Sequence, residues 1–372
     1  MLVSTPWWPL LLLLAACMTL SLSSLDSGAA TLGGHGVVHN PPFIVPGLGI
    51  TPFSIVGGAS RLHPQANDTQ AGTLEALHTK YKSRFVCCHM PMYPEIDVYL
   101  CGTLHVAKTS AEMVQEVIRT IKPSYVVLEL CEARADSLHE VDLNHLANVT
   151  LSSVVRLSFE ERSLKTFGMG MLSWMQLKSA KVMGNRLGGE LAMAAREGAS
   201  LQSVVVLGDR LYGVTIQRIF DKLHLVEKVK MVVLLFWEVL TMSIFRLKEY
   251  VHKSETDDSF ITDEIRKFRK HLPTFATVIV TERDEYLAQT LLEIARVGFR
   301  QHQPMHPSQA APRGRIVAVI GAAHLAGVQR CLSSGGCSDE HIAEISSSSK
   351  HNSTWAGRGM LQIVNTQSLF GS

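Results

Sequence analysis

Four polar side chains end or interrupt apolar runs of the sequence and are the residues best suited to chemistry. His105 closes Gly-Thr-Leu-His after one apolar run, and His324 closes Gly-Ala-Ala-His after another. Glu129 lies inside Val-Val-Leu-Glu-Leu, and Asp209 follows Val-Val-Val-Leu-Gly. Imidazole and carboxylate groups in this combination suit a divalent transition metal such as Mn, Co or Zn. These residues therefore predict a polar, metal-binding site, with His105, Glu129 and His324 as the ligands.

Glu129 carries the most information, because a carboxylate in an apolar run is costly to bury without a cation or a hydrogen-bond donor. One interpretation makes it a metal ligand or a general base. The other pairs it with Arg134 or Arg283 in a structural ion pair at the edge of a sheet. The two histidines admit the same two interpretations, since Gly-x-x-His is a weak signal by itself.

Two arginines and a second carboxylate complete the predicted chemistry. Arg210 and Arg283 are candidates for stabilising an oxyanion or binding a substrate carboxylate. Asp209 is a candidate for orienting a histidine that binds the metal. Arg283 lies in the run Glu282-Arg283-Asp284 of a predicted helix, where a solvated charged face is the ordinary alternative.

The elements that must position these side chains are short, buried strands. After the first of them, Met113, Val114 and Val117 are spaced as on one face of a helix, which Thr109 or Ser110 can cap. Strand, helix and strand at this length form a βαβ unit, so the two strands are parallel and their carboxyl ends share one edge. The predicted strands are Ile96–Cys101, Tyr125–Leu130, Ser203–Leu207 and Arg315–Ile320.

The predicted fold is therefore α/β: a mixed sheet with a parallel βαβ core, helices on both faces and a helical insertion. Residues 213–250 and 257–300 form that insertion between the third and fourth strands. Met231–Phe245 is apolar but too short to cross a membrane, and Glu238 and Arg246 interrupt or end it. We expect it to be a core or subdomain helix.

Composition excludes one class of partner. The chain has 372 residues, 18% of them charged, and a formal net charge of +2. Nucleic-acid binding usually needs a clustered basic face, and the sequence contains no strongly basic block. We therefore expect no nucleic-acid partner.

The predicted organisation has four parts. Residues 1–30 contain the apolar run Trp7–Leu25 and resemble a signal peptide or signal anchor, although no Lys or Arg precedes the run. Residues 31–80 form a Gly/Pro-rich linker, 81–330 the domain and 331–372 a C-terminal tail. The sequons at Asn67, Asn148 and Asn352 would be glycosylated in a secretory lumen. Of the six cysteines after the leader, Cys101 and Cys131 are expected to be small core residues next to strands, with Cys331–Cys337 the favoured disulfide if the compartment is oxidising.

Several linked motifs, read in order over about residues 95–330, resemble the TraB/PrgY family and in particular its eukaryotic TraB-domain branch. The resemblance to the eukaryotic branch rests chiefly on Glu-Leu-Cys and Leu-Gly-Asp-Arg. The motifs are Gly102 to His105, Val127 to Cys131 with Arg134, Gly189-Glu190, Leu207 to Arg210 with Thr215 and Arg218, Glu282-Arg283-Asp284, and Gly321 to His324 with Gly327.

The resemblance implies an activity. The family includes PrgY, thought to limit peptide pheromone activity, and is similar to the Tiki metalloproteases, in which the two Gly-x-x-His motifs and a Glu are tied to proteolysis. The chain is accordingly expected to be a metal-dependent, peptidase-like hydrolase with a peptide or protein substrate. The alternative is a non-catalytic membrane regulator or adaptor that keeps the site as a structural polar cluster.

The location that the sequence predicts is the secretory pathway or the endoplasmic reticulum membrane, because of the apolar leader. Some eukaryotic relatives are associated with mitochondrial membranes, so the mitochondrial outer membrane is the alternative. The absence of Arg from the leader argues against a standard transit peptide.

Overall fold

The protein is represented by a computed structural model. The residues described are 68–104, 108–138, 151–160, 170, 174, 188–241, 244–257, 259–299, 314–349 and 361–364. The predicted leader, the three sequon asparagines and His105 lie outside them.

A mixed sheet of six strands forms the centre of the described part of the chain, in the order β1-β2-β5-β3-β4-β6. β2, β5, β3 and β4 are parallel, and the outer strands β1 and β6 each pair antiparallel to their neighbour. The strands are β1 Phe85–His89, β2 Ile96–Thr103, β3 Tyr125–Leu128, β4 Val204–Leu207, β5 Gly314–Gly321 and β6 Gln362–Ile363.

The predicted α/β class and the parallel direction of the first two predicted strands are confirmed. These strands, β2 and β3, are not neighbours, because β5 lies between them and is parallel to both. A strand that arrives almost two hundred residues later thus completes the centre of the sheet. Its eight residues Gly314–Gly321 are buried apart from a half-buried Arg315, as expected of a strand covered on both faces.

Helices cover both faces of the sheet, as predicted. On one face, alternate strand residues such as Val126 and Val319 pack against α2 (Lys108–Ile121) and α4 (Gly189–Ser200). On the other, residues such as Val127 and Ala318 pack against α10 (Glu282–Glu293) and α11 (Leu325–Ser333). The helices on the amino-terminal side of the insertion are α1 Asp68–Tyr81, α2 Lys108–Ile121, α3 Leu151–Glu160 and α4 Gly189–Ser200.

The predicted insertion between the third and fourth predicted strands is helical. The segment Met231–Phe245 falls on two helices, and it is only partly a core element: Met231 is buried, whereas Val233, Trp237 and Phe245 are exposed. No helix among the described residues is both long and apolar enough to cross a membrane. The helices are α5 Tyr212–Lys222, α6 Leu225–Thr241, α7 Ile244–Thr256, α8 Phe260–His271, α9 Pro273–Ala276 and α10 Glu282–Glu293, with π-helical segments Thr277–Thr281 and Ile294–Gly298 on either side of α10.

Both ends of the described chain add to the domain beyond the predicted 81–330. Residues 68–80, which we predicted as linker, belong to α1, and Leu77 and Tyr81 of this helix pack into the core. Residues 331–372, predicted as a tail, supply the last residues of the helix Leu325–Ser333, all of the helix Asp339–Ile345 and all of β6 to the folded unit. After β5 come α11 Leu325–Ser333 and α12 Asp339–Ile345, and β6 closes the far edge of the sheet against β4.

Truncation of a buried strand residue should be costly. Leu128, in the middle of the sheet, is fully buried, whereas Leu225 at the start of α6 is 76% exposed. We expect Leu128→Ala to lower the free energy of unfolding by about 2–5 kcal/mol, because a cavity replaces buried apolar volume. Leu225→Ala, the same chemical change on the surface, should alter it by less than about 0.5 kcal/mol. Urea unfolding monitored by circular dichroism measures both, and equal effects would contradict this core assignment.

Candidate functional site

The carboxyl ends of β3, β4 and β5 bring three of the four predicted side chains to one edge of the sheet. Leu128 aligns with Val319 of β5 and Leu207 of β4, so the residues after these strands lie side by side. The Glu129 N–H continues the pairing by donating to the Val319 carbonyl at 3.0 Å. Glu129 follows β3 directly, Asp209 follows β4 after Gly208, and His324 is the N-cap of α11, three residues after β5.

Glu129 is buried and both of its oxygens are occupied. Oε1 accepts a hydrogen bond from the Arg283 guanidinium, which comes from α10 in the insertion. Oε2 accepts the Gly321 N–H at 2.5 Å, at the end of β5. One carboxylate therefore ties together β3, β5 and the first turn of α10.

Asp209 binds arginines rather than a histidine. Its carboxylate accepts from Arg134 at 2.7 Å and from Arg283 at 3.1 and 2.8 Å. Its Oδ1 also accepts the Arg210 N–H at 2.8 Å, which fixes the turn after β4. Of the two predicted ion-pair partners of Glu129, the structure places Arg283 against it, whereas Arg134 pairs with Asp209. The predicted role of Asp209 in orienting a histidine belongs to another carboxylate.

That carboxylate is Asp284, whose Oδ1 lies 2.6 Å from Nδ1 of the fully buried His324. Nε2 of His324 lies 3.3 Å from Arg283 Nη1 and 3.4 Å from Glu129 Oε1. Since a guanidinium can only donate, the bond to Arg283 places the lone pair on Nε2 and the hydrogen on Nδ1, facing Asp284. Burial raises the pKa of Asp284, and its hydrogen bond to His324 opposes that shift.

Gly327 makes this histidine–carboxylate pair possible. It lies in the first turn of α11, and a Cβ atom there would be 1.9 Å from Asp284 Oδ2. Any larger residue would therefore push the carboxylate away from the helix. This close approach explains why a glycine three residues after His324 belongs to the motif.

The charges of this site do not cancel if His324 is neutral. Three carboxylates face two guanidinium groups, which leaves one negative charge in excess in a buried site. An imidazolium or a bound cation would balance it. We call this group the rim cluster: Glu129, Arg134, Asp209, Arg283, Asp284 and His324.

A second group, the arginine cluster, lies beside the rim cluster and consists of Arg210, Arg218, Lys222 and Glu282. Glu282 accepts from Arg210 at 2.6 Å, from Arg218 at 2.8 and 2.9 Å and from Lys222 at 3.0 Å. Burial alone would raise the pKa of Glu282, but hydrogen bonds and charges from Arg218 and Arg210 outweigh it and lower the pKa to about 2.

The arginine cluster holds the end of α12. Arg210 donates to the Ile345 carbonyl at 2.7 Å, and Arg218 donates to the Glu344 carbonyl at 2.7 Å. Arg210 also donates to Thr215 Oγ1 at 3.0 Å. With its donors engaged in this way, Arg210 does not serve the rim cluster, and of the two predicted oxyanion-binding arginines only Arg283 lies there.

Three predicted residues remain: Gly102, Glu190 and His105. Gly102 lies near the end of β2, where Thr103 pairs with Gly321, and a Cβ atom on Gly102 would overlap Leu325. Glu190 is buried in the first turn of α4. His105, the third predicted metal ligand, lies outside the described residues, two positions after Thr103. Ser110 fixes the intervening Leu104, since its Oγ accepts from the Leu104 N–H at 2.9 Å.

The fold and site define the class of protein: an α/β domain with buried Glu–Arg and His–Asp pairs at the carboxyl edge of a parallel sheet. The model of the TraB/PrgY/gumN family matches residues 94–334, well over half of the chain. The chain belongs to this family.

Known relatives share the domain rather than their whole length. An uncharacterized protein of Methanocaldococcus jannaschii is 31% identical over 245 residues, which cover 64% of this chain and 54% of the relative. The TraB domain-containing proteins of Bos taurus and Homo sapiens are each 29% identical, over 63% and 67% of this chain and 62% and 65% of their own. The chain thus matches between about half and two thirds of these relatives' length.

The lowered pKa of Glu282 predicts how its charge contributes at acid pH. Its pKa falls from 4.5 to about 2, so the folded state favours the ionised form. The stabilisation is complete above pH 4.5 and is lost as the pH falls toward 2. Glu282→Gln should lower the free energy of unfolding at pH 7 by about 3 kcal/mol and weaken its dependence on pH between 4.5 and 2.

Glu344→Gln is the matched control, because its side chain is 61% exposed and its backbone carbonyl, which Arg218 binds, is unchanged. We expect a change below about 0.5 kcal/mol. Denaturant unfolding of both variants across this pH range measures the effect. The assignment would be contradicted if the free energy of unfolding of Glu282→Gln fell between pH 4.5 and 2 as steeply as that of the unsubstituted protein.

Proposed function

We propose that the chain is a metal-dependent, peptidase-like hydrolase whose centre is the pair Glu129 and His324. One observation carries the proposal: Asp284 holds Nδ1 of His324 at 2.6 Å, and Nε2 then lies 3.4 Å from Glu129 Oε1. A carboxylate on the far nitrogen is typical of a histidine that binds a metal. Two ligands of one tetrahedral zinc ion lie about 3.3–3.5 Å apart.

The donor chemistry of the pair fits a divalent transition metal of the Mn, Co or Zn type. Arg283 lies on the same side of Glu129 and His324, so metal binding requires its guanidinium to withdraw from both. It already makes two hydrogen bonds to Asp209, at 3.1 and 2.8 Å, which would hold it nearby. His105 would be the third ligand.

The roles of the protein groups follow from their contacts. A bound divalent metal would supply a hydroxide near neutral pH by lowering the pKa of its water toward about 7. Asp284 keeps the hydrogen of His324 on Nδ1 and so leaves Nε2 available. Glu129 would be a ligand or the base that accepts a proton from the attacking water. Arg283, held by Asp209, would bind the developing oxyanion or a substrate carboxylate.

The second candidate is a non-catalytic regulator or adaptor in which the rim cluster is structural. Its favouring observation is that Glu129, Asp209 and Arg283 are each no more than 3% exposed and already paired. Removing one member of such a buried ion pair costs about 3–5 kcal/mol, because the other charge is left without a partner. The two candidates therefore differ in what substitution does to activity and to stability.

The hydrolase proposal predicts that His324→Ala and Glu129→Gln each abolish metal-dependent cleavage of peptides. The affinity of the rim cluster for metal should also fall by at least about 100-fold in both variants. Even the loss of a residue that only orients a ligand lowers metal affinity by about 10–100-fold. Cleavage of a peptide mixture with added Mn, Co or Zn, followed by mass spectrometry, gives the activity. His89→Ala, on an exposed residue of β1, is the control and should cleave like the unsubstituted protein.

Thermal unfolding of the same variants separates the candidates. If the cluster only stabilises the fold, both variants unfold at clearly lower temperature and the unsubstituted protein cleaves nothing. Cleavage that is unchanged in His324→Ala and Glu129→Gln would reject the proposed centre even if the protein is an enzyme.

We also propose that the protein binds a membrane surface through α6. The exposed apolar residues Val226, Val229, Val233 and Trp237 recur at helical spacing and fall within about 120° of the helix circumference. An anionic lipid surface fits this face, because Lys228 and Lys230 flank the stripe on its two sides. Such a helix lies in the interface rather than crossing it. The leader at residues 1–30 stays a separate prediction of membrane targeting.

Substituting the stripe should weaken lipid binding. Changing Val229, Val233 and Trp237 together to Ser should reduce binding to phosphatidylcholine–phosphatidylserine vesicles by at least about tenfold, since each lost apolar contact is worth on the order of 1–2 kcal/mol. Co-sedimentation of the full chain measures it. Met92→Ser, which changes a 63% exposed residue outside α6, is the control. Equal sedimentation of the triple variant and the unsubstituted protein would contradict a role for α6.

A further inference from the structure

Three side chains of different chemistry converge outside the rim cluster. The carboxylate of Glu285, the thiol of Cys337 and the imidazole of His341 each offer a donor atom within 4.8 Å of the other two. His341 Nε2 already lies 2.9 Å from Glu285 Oε2. All three residues are partly buried, and we call them the C-terminal triad.

A glycine turn precedes Cys337 and a helix cap follows it, so the backbone is held on both sides of this residue. Gly335 and Gly336 have φ of 86° and 88°, a conformation that favours glycine, and end α11 in a tight turn. The Gly336 N–H donates to the Cys331 carbonyl at 2.9 Å in this turn. Ser338 then caps α12, its Oγ accepting from the His341 N–H at 3.3 Å. Cys337, just before α12, and His341, in its first turn, thus both lie near Glu285 of α10.

The donor set selects a metal class. A thiolate, an imidazole and a carboxylate together suit Zn²⁺, which accepts sulfur, nitrogen and oxygen ligands in tetrahedral geometry. Ligands of one tetrahedral zinc ion lie about 3.3–3.7 Å apart, so shifts on the order of 1 Å would bring the three atoms to coordination distance. Two of the three donors come from a single short segment, Cys337–His341, and the third comes from another helix. An ion here would therefore cross-link two parts of the fold.

We propose that Glu285, Cys337 and His341 bind Zn²⁺ and that this ion fastens α12 to α10. The last turn of α12 supplies the carbonyls of Glu344 and Ile345 that the arginine cluster binds. Glu285 follows Arg283 and Asp284 in the same helical turn. Through Glu285, the zinc ion would bind the first turn of α10. It would thereby stabilise the helix that carries Arg283 and Asp284 of the rim cluster. The site is separate from the proposed hydrolytic centre and does not depend on it.

Cobalt substitution tests the site directly. The full chain, stripped of metal by a chelator, is titrated with Co²⁺, whose thiolate charge-transfer absorption reports a bound cysteine, and Zn²⁺ is then added in competition. We expect one such site. Cys337→Ser should abolish the absorption band. His341→Ala should weaken zinc binding by at least about 100-fold, because losing a ligand should cost more than the roughly 10–100-fold that follows the loss of a residue which only orients a ligand. Cys87→Ser and His89→Ala, on β1, are the matched controls and should bind zinc normally.

Hydrogen exchange supplies a second readout. Zinc should slow exchange of the backbone amides of Ile342–Ile345 in the unsubstituted protein and leave them unchanged in Cys337→Ser. His324→Ala should keep both the absorption band and the slowed exchange, which separates this site from the rim cluster. An absorption band that survives in Cys337→Ser, or failure of the unsubstituted chain to bind either metal with a thiolate, would overturn the proposal.

Discussion

The buried ion pair between Glu129 and Arg283 is the interaction on which the arrangement of this domain depends. Glu129 ends a central strand, where an unpaired carboxylate would cost several kcal/mol or lose its charge. Its guanidinium partner comes from the insertion, 154 residues later in the chain. The pair can form only when the insertion folds back over the carboxyl edge of the sheet, so the charge of Glu129 specifies where α10 must lie. The Gly321 N–H, bound to the other oxygen, adds the requirement that β5 lie beside β3.

The first turn of α10 distributes contacts in four directions. Its four consecutive side chains point around the helix, so each reaches a different neighbour. A π-helical segment, Thr277–Thr281, leads directly into this turn, and such segments are frequent at functional sites. The contacts run from Glu282 to Arg210 and Arg218, from Arg283 to Glu129 and Asp209, from Asp284 to His324, and from Glu285 to His341.

The sequence was sufficient for the four central strands, and for the edge at which the site lies, because both depend on local features. Each apolar run that ended in a polar residue was a strand ending at the rim, and the helical period after β2 implied a parallel crossover. The strand order was not local: placing β5 between β2 and β3 needs pairings across almost two hundred residues. The edge strands β1 and β6 were missed for a related reason. β6 has two residues, and β1 is recognisable mainly by its pairing with β2.

The side-chain partners at the site were harder to predict than its location. Arg134 was the nearest arginine to Glu129 in sequence, but β4 places Asp209 within 2.7 Å of it. Asp284 was assigned to a charged run on a helix, where solvent exposure is the usual outcome. Only its approach to Gly327 of α11 makes it the partner of His324. The available signals were Gly327, three residues after His324, and Asp284, directly after Arg283. Neither indicates a contact until α10 and α11 are packed together.

The division of charge between the two clusters bears on whether the rim cluster is catalytic. The arginine cluster places three cations around Glu282 and uses two of them to hold the carbonyls at the end of α12. Its three cations outnumber the single carboxylate of Glu282, and its arrangement satisfies a structural role. The rim cluster is different, since three carboxylates share two guanidinium groups and a histidine whose Nε2 lone pair faces inward. Stability alone does not require such a cluster, because well-packed apolar replacements of a whole buried ion pair are often as stable. A carboxylate-oriented imidazole next to Glu129 is instead an arrangement in which a divalent cation can bind, and on this ground we favour the hydrolase over the adaptor.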